Sequence, residues 1–94
     1  MKQFAMMELH EAIEYARMGE QALHLHNITA GHPLFGRYGE IAHLFDMNTA
    51  RLIAAAKNLG VRVVKIERAN TDKQHIDLCG RPLVKAKAMC HTAL

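Results

Sequence analysis

Four of the chain's seven histidines fall where a strand could aim their rings at one target. His24 and His26 alternate with leucines in Leu23-His24-Leu25-His26, His43 stands in Ala42-His43-Leu44-Phe45, and His75 precedes Asp77 by two in His75-Ile76-Asp77-Leu78. Neutral imidazole and carboxylate are ligands for zinc or another first-row divalent ion, which makes His24, His26, His75 and Asp77 a candidate metal set. Imidazoles near their own pKa also serve as general acid and base in attack on a phosphodiester or glycosidic bond, with His43, His75 and Asp77 as the catalytic candidates. Without any reaction, the same rings could donate hydrogen bonds to phosphate or stack on a base. A solvated sheet face or a dimer interface would tolerate these residues equally, and His-x-His arises often by chance in a chain this rich in histidine. Side chains two apart on a strand rarely hydrogen-bond directly, so His75 and Asp77 do not by themselves make a catalytic dyad.

A second set lies in Gly31-His32-Pro33-Leu34-Phe35-Gly36-Arg37-Tyr38-Gly39. Glycines there permit close backbone approach, Arg37 offers a bidentate fork for phosphate, and Tyr38 or Phe35 offers a stacking plane. Arg37, Tyr38, His24 and His26 are the ligand-binding candidates. The stretch has no phosphate-loop Gly-Lys-Ser/Thr and no Gly-x-Gly-x-x-Gly, so neither nucleotide fold is supported. A third set is the basic one: residues 1–50 hold three Lys/Arg against six Asp/Glu, residues 51–94 nine against three. That bipolar charge could draw phosphate to the later half. Arg81, Lys85 and Lys87, with Arg62, Lys65, Arg68 and Lys73, form no continuous stripe by spacing, and no DNA-reading motif accompanies them, so nucleic-acid binding lacks support.

The elements that must position these groups can be read from period and punctuation. Met6, Leu9, Ile13 and Ala16 repeat as a helix does, with acids early and Gly19 after the end, which predicts a helix over 6–18. Alternation over 21–26 predicts a strand with Leu23 and Leu25 on one face and Ala22, His24 and His26 on the other. Residues 27–39 read as a loop, and 40–45 as a strand or an extended lead into a helix. Asp46 or Asn48 caps a helix that runs through Leu59 and is closed by Gly60. Val61-Arg62-Val63-Val64-Lys65-Ile66 is β-branched and predicts a strand; 69–73 is a turn, 75–78 a strand, and Pro82 opens a last helix to about Cys90. The sum is one domain over 1–94, an α/β (mixed α+β) fold with one small three- to four-stranded sheet covered by about three helices. If the leucine and isoleucine faces pack under the helices, His24, His26, His75 and Asp77 emerge together on the opposite face, and His43 can join them.

The order Ala42-His43-Leu44-Phe45, Leu52 nine residues after the histidine, Ala54-Ala55-Ala56, Leu59-Gly60-Val61 and His75-Ile76-Asp77-Leu78 resembles a small uncharacterised domain family common in phage, prophage and actinobacterial genomes. Its members read His-Met/Leu, Leu-x-x-x-Ala-x-x-Ile/Leu-Gly-Val, His-Tyr-Asp-Ile/Val and a basic helix. The likeness covers Arg37 to Met89, with Ile76 standing in place of the family tyrosine, and the first helix departs most from the pattern. It implies an architecture and a phage setting, and supplies no activity. In that setting, a binder of a host signalling nucleotide would serve an anti-defence role.

Composition limits the remaining classes. A chain of 94 residues with no Trp, three Phe and two Tyr has few bulky core anchors, so a homo-oligomer is expected, in which a face is buried against a partner subunit. No apolar run reaches a membrane span and Met1-Lys2-Gln3-Phe4 lacks the apolar stretch of a signal peptide, so the expected location is the cytoplasm, the host's if the chain is phage-encoded. Cys79 and Cys90 are then expected as reduced thiols without assigned chemistry. Three functions are carried forward: a binder of an anionic small molecule or nucleotide, a metal- or histidine-dependent hydrolase of nucleotides or phosphodiesters, and a protein-binding inhibitor module.

Overall fold

The computed structural model describes residues 1–27 and 40–90. In chain order these form β1 (Lys2–Phe4), a 3-10 turn (Met6–Glu8), α1 (Leu9–Arg17), β2 (Ala22–Asn27), β3 (Glu40–Phe45), α2 (Thr49–Asn58), β4 (His75–Cys79) and α3 (Gly80–Met89). The four strands make one sheet in the order β1-β2-β3-β4. β1 runs parallel to β2, with α1 in the crossover between them, and the β2-β3 and β3-β4 pairs are antiparallel. The expected mixed α+β fold is therefore present.

Period two sorts the strand residues onto two faces. Leu23, Ala42, Leu44, Ile76 and Leu78 turn to one side, where Leu52 and Ala56 of α2, Leu59 at its C-cap, and Leu83 and Ala86 of α3 close the main core over them. On the other side Phe4, Ala22 and Phe45 meet Ala12 and Ala16 of α1. This second core is thinner, because alanines supply α1's buried face. α1 covers only part of this side, and the imidazoles occupy the rest.

The helix ends follow the residue types. Asn48 is the N-cap of α2, its Oδ1 accepting the Arg51 N–H at 3.0 Å, while Asp46 Oδ1 accepts the Asn48 N–H at 2.8 Å just before the cap. Gly19 and Gly60, at φ of 91° and 90°, take the left-handed conformation that ends α1 and α2. The helix predicted over 6–18 opens with the 3-10 turn, whose Glu8 carboxylate accepts the Ala5 N–H at 2.8 Å.

Two elements differ from the sequence reading. β1 was not anticipated, since three residues carry no period. The strand expected over 61–66 is absent; only the residue after it, Glu67, makes an isolated antiparallel bridge, to His75. Val61, Val64 and Ile66 pack against the main core while Val63 is 83% exposed. That spacing breaks strand alternation, and packing overrides β propensity here.

Candidate functional site

Strand register assembles the site. His24 lies opposite His43, and His43 opposite Asp77, so one row crosses three strands; Phe45 lies opposite His75 in the next row. His24, His26, His43, His75 and Asp77 thus share the sheet face turned away from α2 and α3. The leucine and isoleucine packing that was the condition for this convergence is met.

The rings are close. His43 stacks on His75 with centroids 4.6 Å apart and on His26 at 5.3 Å. His24 stands 6.0 Å from His43. Asp77 Oδ1 lies 3.6 Å from His43 Nε2 and 3.6 Å from His75 Nε2. Both separations are too long for hydrogen bonds, and this oxygen is buried with no hydrogen-bond partner among the described residues. His75 Nδ1 donates to the Lys73 carbonyl at 2.9 Å, so in the neutral ring Nε2 presents a lone pair toward the carboxylate. With that ring neutral, two acceptors face each other across a gap.

Electrostatics follow from this packing. Burial, and then the neighbouring His75, His26 and His24, push the His43 pKa down to about 4, so its imidazole is neutral at pH 7. Burial raises Asp77 above the ordinary carboxylate range, with Glu67 adding to the rise and His75, Lys65 and His26 opposing it. His24 is 2% exposed; its Nε2 donates to the Met6 carbonyl at 2.9 Å, leaving Nδ1 buried and unpartnered among the described residues. His24 is thus tied to the 3-10 turn at its outer nitrogen. This separates it from the metal set in which the sequence placed it, and the compact group of candidate ligand atoms is His43, His75 and Asp77.

Between α1 and this face lies a cleft of about 310 Å³. Leu9 and Ile13 of α1 form its roof, His24, His26, His43, Phe45 and His75 its floor, and Arg68 and Lys73 its rim. Neither rim cation is in an ion pair among the described residues. By sequence both belong to a loose basic set, with no spacing that joins them to the histidines. Arg68 and Asn70 have positive φ, 51° and 66°, and turn the chain back so that Glu67 bridges to His75. Buried Gln74 anchors that turn: its Nε2 donates to the Asp46 carbonyl at 2.8 Å and its Oε1 accepts the Asn70 N–H at 3.0 Å. The available signal was position, since the basic turn immediately precedes His75. Arg37 and Tyr38, with the glycine loop that carries them, lie outside the described residues.

A larger hollow of about 460 Å³ lies at the outer edge of β4 and the start of α3, beside Arg62 and Arg81. It contains no imidazole. Among the other basic residues, Lys87 is held by Glu40, Arg17 by Asp72 and Glu14, and Arg51 by buried Asp46. Burial raises the free thiols Cys79 and Cys90 above their ordinary pKa, away from the reactive thiolate form. No helix among the described residues is long and apolar enough to cross a membrane.

The sequence matches no family model, and comparison with curated proteins and with solved structures finds no match.

Proposed function

We propose that the cleft binds an anionic, phosphate-bearing small molecule of nucleotide type. The observation that carries this reading is the pairing of two cations free of ion pairs among the described residues, Arg68 and Lys73, with a floor of stacked imidazoles and an apolar roof in one cleft. Phosphate is matched by the cations and by ring N–H donors, and a planar base by the faces of His26 or Phe45 and the side chains of Leu9 and Ile13. The volume suits a mononucleotide, since small-molecule sites begin near 300 Å³. Sequestration of a host signal in a phage setting extends this reading through the family resemblance, and a homo-oligomer remains part of it.

A panel of mono-, di- and cyclic nucleotides scored by thermal stabilisation tests the proposal. One anionic ligand should raise Tm by several degrees, and Arg68→Ala with Lys73→Ala should remove the shift. Stabilisation equal to wild type in the double variant, or none by any nucleotide, would refute it; the second result favours a protein partner. Hydrolysis is the second reading, favoured by the convergence of neutral His43 with His75 and Asp77. It requires product release from the bound ligand, which simple sequestration does not.

A further inference from the structure

The contact between Asp77 and its two histidines is incomplete as it stands. A carboxylate oxygen buried with no hydrogen-bond donor among the described residues is costly, and the ring atoms His43 Nε2 and His75 Nε2 are both 3.6 Å away. We propose that His43 Nε2, His75 Nε2 and Asp77 Oδ1 form a site for one divalent first-row cation of the zinc class, with its remaining coordination positions open to the cleft. The proposal requires nothing of the anionic ligand.

Geometry favours it. Bonds of about 2.0–2.2 Å at tetrahedral or octahedral angles set neighbouring ligand atoms roughly 3.0–3.6 Å apart. The two N–O separations are already at this spacing, and all three ligand atoms lie within 4.8 Å of one another. The two stacked rings would have to turn so that both Nε2 lone pairs meet at the ion beside Asp77 Oδ1. Orientation is also prepared, because a metal-bound histidine characteristically donates its other ring N–H to a carbonyl or carboxylate. His75 does so through Nδ1 to Lys73, which leaves Nε2 as the ligand nitrogen. His43 is held between the rings of His26 and His75. Two nitrogens and one oxygen without thiolate match the three-ligand sets of catalytic zinc and of non-haem iron(II), and differ from the all-oxygen sets of calcium and magnesium. The sequence's wider metal set contracts accordingly: His75 and Asp77 stay, His43 enters, and His24 and His26 support the site from beside it.

The test uses the intact chain, stripped with a chelator and titrated with Zn²⁺ by calorimetry. The ring nitrogens are followed in parallel by NMR. Wild type should bind one ion per chain with coordination shifts at His43 Nε2 and His75 Nε2, while His10 is unaffected. Asp77→Asn and His75→Ala should weaken binding by at least the ~10–100-fold that losing an orienting partner costs; His10→Ala should bind as wild type does. Absence of stoichiometric binding, or equal affinity in Asp77→Asn, would overturn the proposal. If a variant fails to fold, the wild-type spectrum decides alone, since binding without shifts at His43 and His75 places the ion elsewhere and refutes the site.

Discussion

His43 concentrates the chemistry of this molecule because its position in the middle of a three-strand row surrounds it with titratable groups. His24 and His26 approach it from β2, His75 and Asp77 from β4, and Phe45 from its own strand. The unfolded chain takes a proton on such a ring near pH 6.5, whereas the folded one resists until about pH 4. Between those values the unfolded state binds more protons, so stability falls as pH falls. The full depression corresponds to an upper bound of about 3 kcal/mol, of which about 2 kcal/mol would be lost by pH 5. Asp77 runs the other way: its raised pKa lets the folded state hold a proton the unfolded state releases, which adds stability as pH drops through that lower window. Urea unfolding at pH 7 and pH 5 with chelator present should show a loss in wild type that shrinks in His43→Asn, by at most about 2 kcal/mol. An equal loss in the variant would show that His43 does not carry the acid sensitivity.

At the scale of elements, the β3–α2 corner shows how a buried charge can be structural. Asp46 is fully buried and accepts from Arg51 Nε at 2.6 Å, from Gln21 Nε2 at 3.0 Å and from the Asn48 N–H, while Arg51 is 43% exposed. Removing the two partners should not cost the same. Arg51→Met strands a buried carboxylate and should cost roughly 3 kcal/mol or more. Asp46→Asn keeps an acceptor for the Asn48 N–H and lets Arg51 turn to water, and should cost about 1–2 kcal/mol. Chemical denaturation at neutral pH measures both, and the reverse order would contradict this account. α2 itself was legible because Asn48, Leu52, Ala56, Leu59 and Gly60 declare its cap, stripe and stop within one window. The shared histidine face was legible for a similar reason, since period two allows only two sides and the leucines had to occupy one. Residues 61–66 misled because β-branched composition does not reveal which valines the core will take. Arg68 and Lys73 were not placed because their position depends on two positive-φ residues and on the distant Gln74–Asp46 contact, neither of which leaves a period.

The molecule as a whole is asymmetric about its sheet. Leu23, Leu44, Leu52, Leu59, Ile76 and Leu78, the large apolar side chains that are fully buried, all belong to the core closed by α2 and α3. On the opposite side α1 brings Ala12 and Ala16 against Phe4, Ala22 and Phe45. Alanine burial removes far less apolar area from water than leucine burial does. Nine residues are also too few for α1 to persist as an isolated helix. Its ion pair from Arg17 to Asp72 lies at the solvent-exposed surface, where screening leaves it little weight. α1 should therefore open locally at a free energy well below global unfolding, while β2, β3, β4 and α2 open only when the whole chain does. Native-state hydrogen exchange across low denaturant should give α1 amides a smaller opening free energy and a shallower denaturant slope than those of α2. Exchange of α1 on the same global isotherm as α2 would show one cooperative unit instead. Because Leu9 and Ile13 of α1 roof the cleft, a bound ligand touching both roof and floor should slow exchange in α1 more than in α2.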